Sequence, residues 1–181
     1  MPFSFIVELP KKNQLIRRFP IFYNQYEVSF EVILLFSVSL STWVNIIHFT
    51  QGGRDSRTLG DHIPVVWYHP KLRHLKICSA VGTNGFHCYE TKKKLVPLTR
   101  FTHVKISQLL DAKTGKFFYQ IRIDRRLEHS VVNANPKTFY DVKQYMSSPW
   151  STSAISLVKH LKVKLSSGGL LNQLYSYFLW F

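Results

Sequence analysis

The chain has 181 residues, 45% hydrophobic, 15% aromatic and 19% charged, which is apolar enough for one globular core and excludes a compositionally disordered chain. Its 24 Lys and Arg against 10 Asp and Glu give a formal charge of +14. That balance attracts polyanions such as sulfated glycans, acidic matrix proteins, anionic lipid or nucleic acid, but no block of five or six like charges marks a nucleic-acid-binding arm.

Residues 1–21 read as an N-terminal extension. Met1–Leu9 lacks the basic start, apolar stretch and small-residue cleavage site of a signal peptide. Val32–Phe36 runs into the serines of Ser37–Ser41 well short of the roughly 20 apolar residues of a membrane helix, so no transmembrane span is expected. From there on, apolar and polar residues alternate with the period of half-buried strands. Tyr26, Val28, Phe30 and Val32 alternate with Glu27, Ser29 and Glu31. Trp43–Thr50 is a mostly apolar strand, Gln51–His62 a glycine-containing loop, and Ile63–Tyr68 a strand stopped by Pro70.

Leu75–Val81 and Phe86–Thr91 flank Gly82–Gly85 (GTNG), whose Gly and Asn tolerate positive φ and predict a hairpin turn. A second hairpin joins Thr102, Val104 and Ile106 to Phe117, Tyr119, Ile121 and Ile123 through Asp111–Gly115. Leu127, His129 and Val131 continue the meander. Leu161, Val163 and Leu165 alternate with His160, Lys162 and Lys164 near the end. Lys137–Met146 is the one stretch where a short helix fits. Many short strands with regular turns predict an all-β antiparallel sandwich or barrel.

If the GTNG turn is centred on Thr83, residues 78 and 88 face each other, so Cys78 and Cys88 meet directly across the ladder and are expected to form a disulfide. Two buried free thiols are the alternative. A bridge implies an oxidising, hence secreted or extracellular, setting.

The segments Trp43–Gly53 (WVNIIHFTQGG), Gly60–Pro70 (GDHIPVVWYHP), Leu75–Cys78 (LKIC), His87–Cys88, Phe101–Gln108 (FTHVKISQ), Tyr119–Asp124 (YQIRID) and Leu127–Val131 (LEHSV) carry a resemblance in their order and spacing. They are similar to laminin-G-like, concanavalin A-type lectin and glucanase jelly rolls, in particular those of extracellular and skeletal matrix proteins of marine invertebrates. The resemblance covers about residues 22–165 and implies a two-sheet antiparallel jelly-roll sandwich, leaving 166–181 as an apolar C-terminal tail. Where the family places Asp-Gly after the YQIRID-type strand, Asp124 is here followed by Arg125 and Arg126.

The resemblance implies a binding module for glycans or acidic matrix components. The rival reading is a structural matrix protein that self-assembles without a specific ligand. The Glu-x-Asp-x-x-Glu strand of glucanases on this fold is missing, and Glu27 and Glu31 share a strand face at a separation of roughly 13 Å, too far for paired-carboxylate hydrolysis. No enzyme is expected.

His103 and Lys105 on one arm of the second hairpin, Arg122 on the other, Arg125 and Arg126 at its end, and Lys92, Lys93 and Lys94 after the preceding hairpin form the candidate anion-binding surface. A solvated face of a basic protein shows the same pattern. Nucleic acid ranks lower, because the aromatics of this hairpin fall on the core parity.

The family often binds Ca²⁺ at the sandwich rim, and Asp55 and Asp61 are the candidate ligands, with Arg54 and Arg57 opposing a cation among them. The eight His stand singly, which predicts no zinc site. Finally, Tyr26–Val32 and Leu161–Leu165 are expected to pair antiparallel, setting Glu27 and Glu31 against lysines.

Overall fold

The computed structural model describes residues 12–35, 41–54, 58–91 and 96–167. In chain order their strands are β1 (Leu15–Phe22), β2 (Gln25–Leu34), β3 (Val44–Thr50), β4 (Val65–His69), β5 (His74–Val81), β6 (Asn84–Glu90), β7 (Thr102–Asp111), β8 (Lys116–Ile123), β9 (Arg126–Asn133), β10 (Phe139–Tyr145) and β11 (Ser156–Ser166). They form two antiparallel sheets, one of six strands in the order β1-β10-β3-β4-β5-β6 and one of five in the order β11-β2-β7-β8-β9. This is the expected jelly-roll sandwich. Among the described residues no helix is long and apolar enough to cross a membrane.

Alternation builds the core. Tyr26, Val28, Phe30, Val32 and Leu34 of β2 point inward and are buried, as are Tyr119, Ile121 and Ile123 of β8. From the other sheet Ile47, Phe49, Val66, Tyr68, Leu75 and Ile77 meet them. Each such side chain contributes about 1.5–3 kcal/mol by leaving water. A polar bolt crosses the core, where the hydroxyls of Tyr26 (β2) and Ser79 (β5) lie 3.1 Å apart. Burial pushes the Tyr26 phenol up to about 12, so this contact persists through ordinary pH.

The pairing of the end segments is as expected. β11 runs antiparallel to β2, with Val163 opposite Val28 and Lys164 opposite Glu27. One detail differs. The register slips between Lys159 and Lys162, His160 takes a positive φ of 54°, and Glu31 is thereby set opposite Lys159.

Two segments depart from the sequence reading. Lys137–Met146, expected to accommodate a short helix, holds strand β10. There Asp141 sits at a positive φ of 49° and breaks the period, so that Phe139, Val142 and Gln144 are buried without strict alternation. Leu15–Phe22, of which all but Phe22 fall in the 1–21 segment read as an extension, is the edge strand β1, paired with β10. Pro20 disguises it, since proline is tolerated in a sheet mainly on edges.

The GTNG hairpin keeps its predicted register where it matters for the cysteines. Cys78 stands opposite Cys88 and Ser79 opposite His87, and the two sulfurs are bonded at 2.00 Å. The turn itself is tighter than a Thr83-centred loop, because Val81 pairs with Asn84 and Gly82, at φ 64°, begins a two-residue connection. The slip adds a residue on β6, where Gly85 and Phe86 face the single Ala80 of β5, whose amide donates to the His62 carbonyl at 2.9 Å.

Candidate functional site

The outer face of the five-stranded sheet gathers three of the expected basic residues. Lys105 of β7 stands directly opposite Arg122 of β8, and His103 is two residues along β7 on the same side. Glu27 and Glu31 of β2 share this face and partly neutralise it. Glu27 pairs with Lys105 and, at 3.6 Å, with Lys164, while Glu31 takes Lys159 and His160, each at 3.2 Å. The Glu31 carboxyl is held below its ordinary range: burial works against this, and the His160 and Lys159 contacts outweigh it.

Arg125 and Arg126 leave that face. Asp124 and Arg125, at φ 50° and 68°, form the two-residue turn between β8 and β9, the conformation that Asp-Gly adopts with least strain. Arg126 pairs with Ile123, on the core parity at the rim, whereas Arg122 pairs with Leu127. The Asp124 carboxylate fixes the turn by accepting the His103 amide at 3.1 Å and the Arg100 guanidinium at 2.8 Å. Lys92, Lys93 and Lys94 lie outside the described residues.

Asp55 also lies outside them. Asp61 is buried and packs on Gly53, where an added Cβ would approach its Oδ2 to 2.2 Å. Among the described residues no group of three or more His, Cys, Asp or Glu is placed to hold a metal ion.

The six-stranded sheet carries on its outer side a constellation that the sequence reading missed. A cross-strand row runs Asn45, Trp67, Lys76, Glu90 over β3, β4, β5 and β6. Around it the rings form a continuous strip. Trp67 lies 5.8 Å from Phe86, 5.7 Å from His62 and 6.5 Å from His48, and Trp150 is 5.7 Å from His48. The Lys76 ammonium stands 5.6 Å from the Trp43 ring and 5.5 Å from that of Phe86, so it links the strip to the Trp43–His69 pair. Trp43, Trp67, Lys76, Phe86 and Trp150 are only partly buried.

Buried polar residues hold this strip in place. Asn45 donates its amide to the Val66 carbonyl at 3.2 Å and accepts the Ser148 amide at 2.8 Å. Its backbone bonds Thr152 and Ala154, which lays the Trp150 segment along the sheet. His48 Nε2 meets the Asp61 carbonyl at 2.7 Å and the His48 ring stacks on His62 at 5.2 Å. Burial lowers the His48 pKa to about 4, so it is a neutral packing element at ordinary pH.

The histidines expected to stand singly are therefore partly paired in space, His48 with His62 and His87 with His129. No spacing rule could show it. The partners come from different strands, and the useful signal was narrower: Trp67 and Phe86 occupy the parity opposite the core residues Val66, Tyr68 and Ile77.

No protein-family model matches the sequence, and no curated protein matches it. Solved structures do match. A heptameric SAP-like pentraxin from Limulus polyphemus aligns with a TM-score of 0.54 at 10% identity, over 86% of this chain and 73% of that one. Sheep galectin-11 aligns at 0.50 and 11%, over 84% and 99%. The receptor-binding domain of botulinum neurotoxin type G aligns at 0.51 and 13%, over 82% and 36%. At such identities the likeness is one of fold, and the fold of this chain is the concanavalin A-like jelly-roll sandwich.

Proposed function

We propose that the domain is a non-enzymatic, extracellular binding module that recognises glycans on the outer face of its six-stranded sheet. The observation that carries this reading is the strip of partly exposed Trp43, Trp67, Phe86 and Trp150 around Lys76. Sugar rings present an apolar C–H face that buries well on flat aromatic side chains, while their hydroxyls and acidic substituents take hydrogen bonds from a neighbouring ammonium. The jelly-roll fold shared with a galectin supports the same reading. The overall charge of +14 adds a non-selective attraction for acidic glycans that salt screens.

Several carboxylates are engaged by cations, Glu27 and Glu31 by lysines, Asp124 by Arg100 and Asp141 by Lys143, which supports a binding rather than a hydrolytic role. The Cys78–Cys88 bridge supports an oxidising compartment. A glycan array at low and high salt tests the proposal. Selectivity for a set of glycans should survive high salt and vanish in Trp67→Ala. Silence at both salts, with concentration-dependent oligomers, would favour the self-assembling structural protein instead.

A further inference from the structure

Strands β6 and β9 are the edges of their respective sheets on the same side of the sandwich. Their inward-facing histidines meet there. His87 Nε2 and His129 Nε2 lie 2.9 Å apart, with ring centroids at 5.1 Å and planes 28° apart. An imidazole nitrogen lies only about 1.1 Å from its ring centre, so these values place the two rings tip to tip along one line. That is the geometry of a single N–H···N hydrogen bond.

We propose that His87 and His129 form a proton-operated clasp that closes the open edge of the sandwich and releases when both rings become charged. The chemistry follows from the tautomers. The bond needs one ring protonated on Nε2 and the other bare at Nε2 and protonated on Nδ1. A first added proton enters the donor ring at Nδ1 and leaves the bond in place. A second has to occupy the acceptor's Nε2, which sets two N–H groups and two positive charges against each other at 2.9 Å.

The titratable groups facing the pair among the described residues are few. Tyr89 of β6 stacks on His129 at 5.3 Å and donates its hydroxyl to the Glu128 carboxylate of β9 at 3.3 Å. Tyr119 of β8 turns its ring edge-on to both, at 6.1 and 6.4 Å. Opposite His87 in the ladder stands Ser79, already engaged by Tyr26. Glu128 is the one carboxylate among them, so a single proton on the pair is tolerated and a second is opposed. Burial lowers the pKa of both rings, and His87 lowers that of His129 further. A base whose folded pKa is depressed contributes stability that is complete above about 6.5 and is lost as pH falls through the folded value. The clasp is thus closed at neutral pH and opens in acid.

Nitrogen-15 NMR of the wild-type chain across pH 8 to 4 tests this without any ligand. At neutral pH the two rings should report opposite tautomers and a coupling across the hydrogen bond between their Nε2 atoms, and the coupling should vanish as the second proton enters. The double variant His87→Gln, His129→Gln keeps hydrogen-bonding capacity without a titrating group. The wild type's lead over it in melting temperature at neutral pH should disappear in acid. Identical tautomers with no coupling at neutral pH, or parallel pH profiles for the two proteins, would overturn the clasp.

Discussion

Glu27 of β2 lies opposite Lys164 of β11 in the ladder, and their charged ends are 3.6 Å apart. The same carboxylate pairs with Lys105, so one glutamate restrains two cations of the basic face. Glu27→Gln should therefore raise the salt needed to elute the protein from heparin. The stability cost should be about 1 kcal/mol or less, because cross-strand and surface ion pairs are worth about 0.2–1 kcal/mol. Unchanged elution would mean that this face does not contribute to polyanion binding.

Apolar burial, not charge, holds β11 in place. Leu161, Val163 and Leu165 are each less than 8% exposed. Removing residues 160–181 strips most of β11 from β2, uncovers that edge and should give aggregates by light scattering. A monomeric, cooperatively folding product would show that the strand is dispensable.

Arg125 occupies the left-handed turn position at φ 68° that a glycine fills without strain. Arg125→Gly should stabilise the domain by about 0.5–1 kcal/mol in urea titration. Asp124→Ala, which removes the acceptor of the His103 amide, should destabilise it by about 1–2 kcal/mol. A destabilised Arg125→Gly protein would point to contacts of the arginine that outweigh its backbone strain.

His48 gives the domain an acid limb separate from that of the clasp. Its pKa, lowered by burial to about 4, means that the unfolded chain binds a proton between about 6.5 and 4 that the folded chain refuses. Stability from this group is complete above about 6.5 and declines by roughly 3 kcal/mol as pH falls towards 4. His48→Gln should flatten that slope in pH-dependent denaturation, and an unaltered slope would assign the acid limb to other groups.

How much of this was legible in the sequence depended on alternation. β2 carries a strict period-2 pattern, as do the first half of β7 and the second half of β8, and the pairing of β2 with β11 followed from matching apolar parities and opposite charges. β1 and β10 hid because Arg17, Arg18 and Pro20 obscure the first and the reversed Asp141 breaks the second. The facing of Cys78 and Cys88 was readable because a hairpin is local. The basic face was readable only in part: parity placed Lys105 beside Arg122, but the tight two-residue Asp124-Arg125 turn, which pairs Arg126 with Ile123 and so sends it to the other side of the sheet, lacks the Asp-Gly that would have marked it. Of the aromatic strip only the outward parity of Trp67 and Phe86 was readable, because Trp43, His62 and Trp150 join it from outside the strands, on segments whose paths are set by buried bonds such as those of Asn45.

The central claim concerns where a glycan docks, and the most direct measurement is a two-dimensional NMR titration that follows the indole N–H groups of Trp43, Trp67 and Trp150. With a glycan selected on the array, saturable shifts are expected at these indoles and at Phe86 and Lys76. Trp67→Ala should weaken the interaction by at least about tenfold, as loss of a central aromatic contact does. Saturable shifts confined to Lys105, Arg122 and their neighbours on the five-stranded sheet, with the indoles unmoved, would contradict the account.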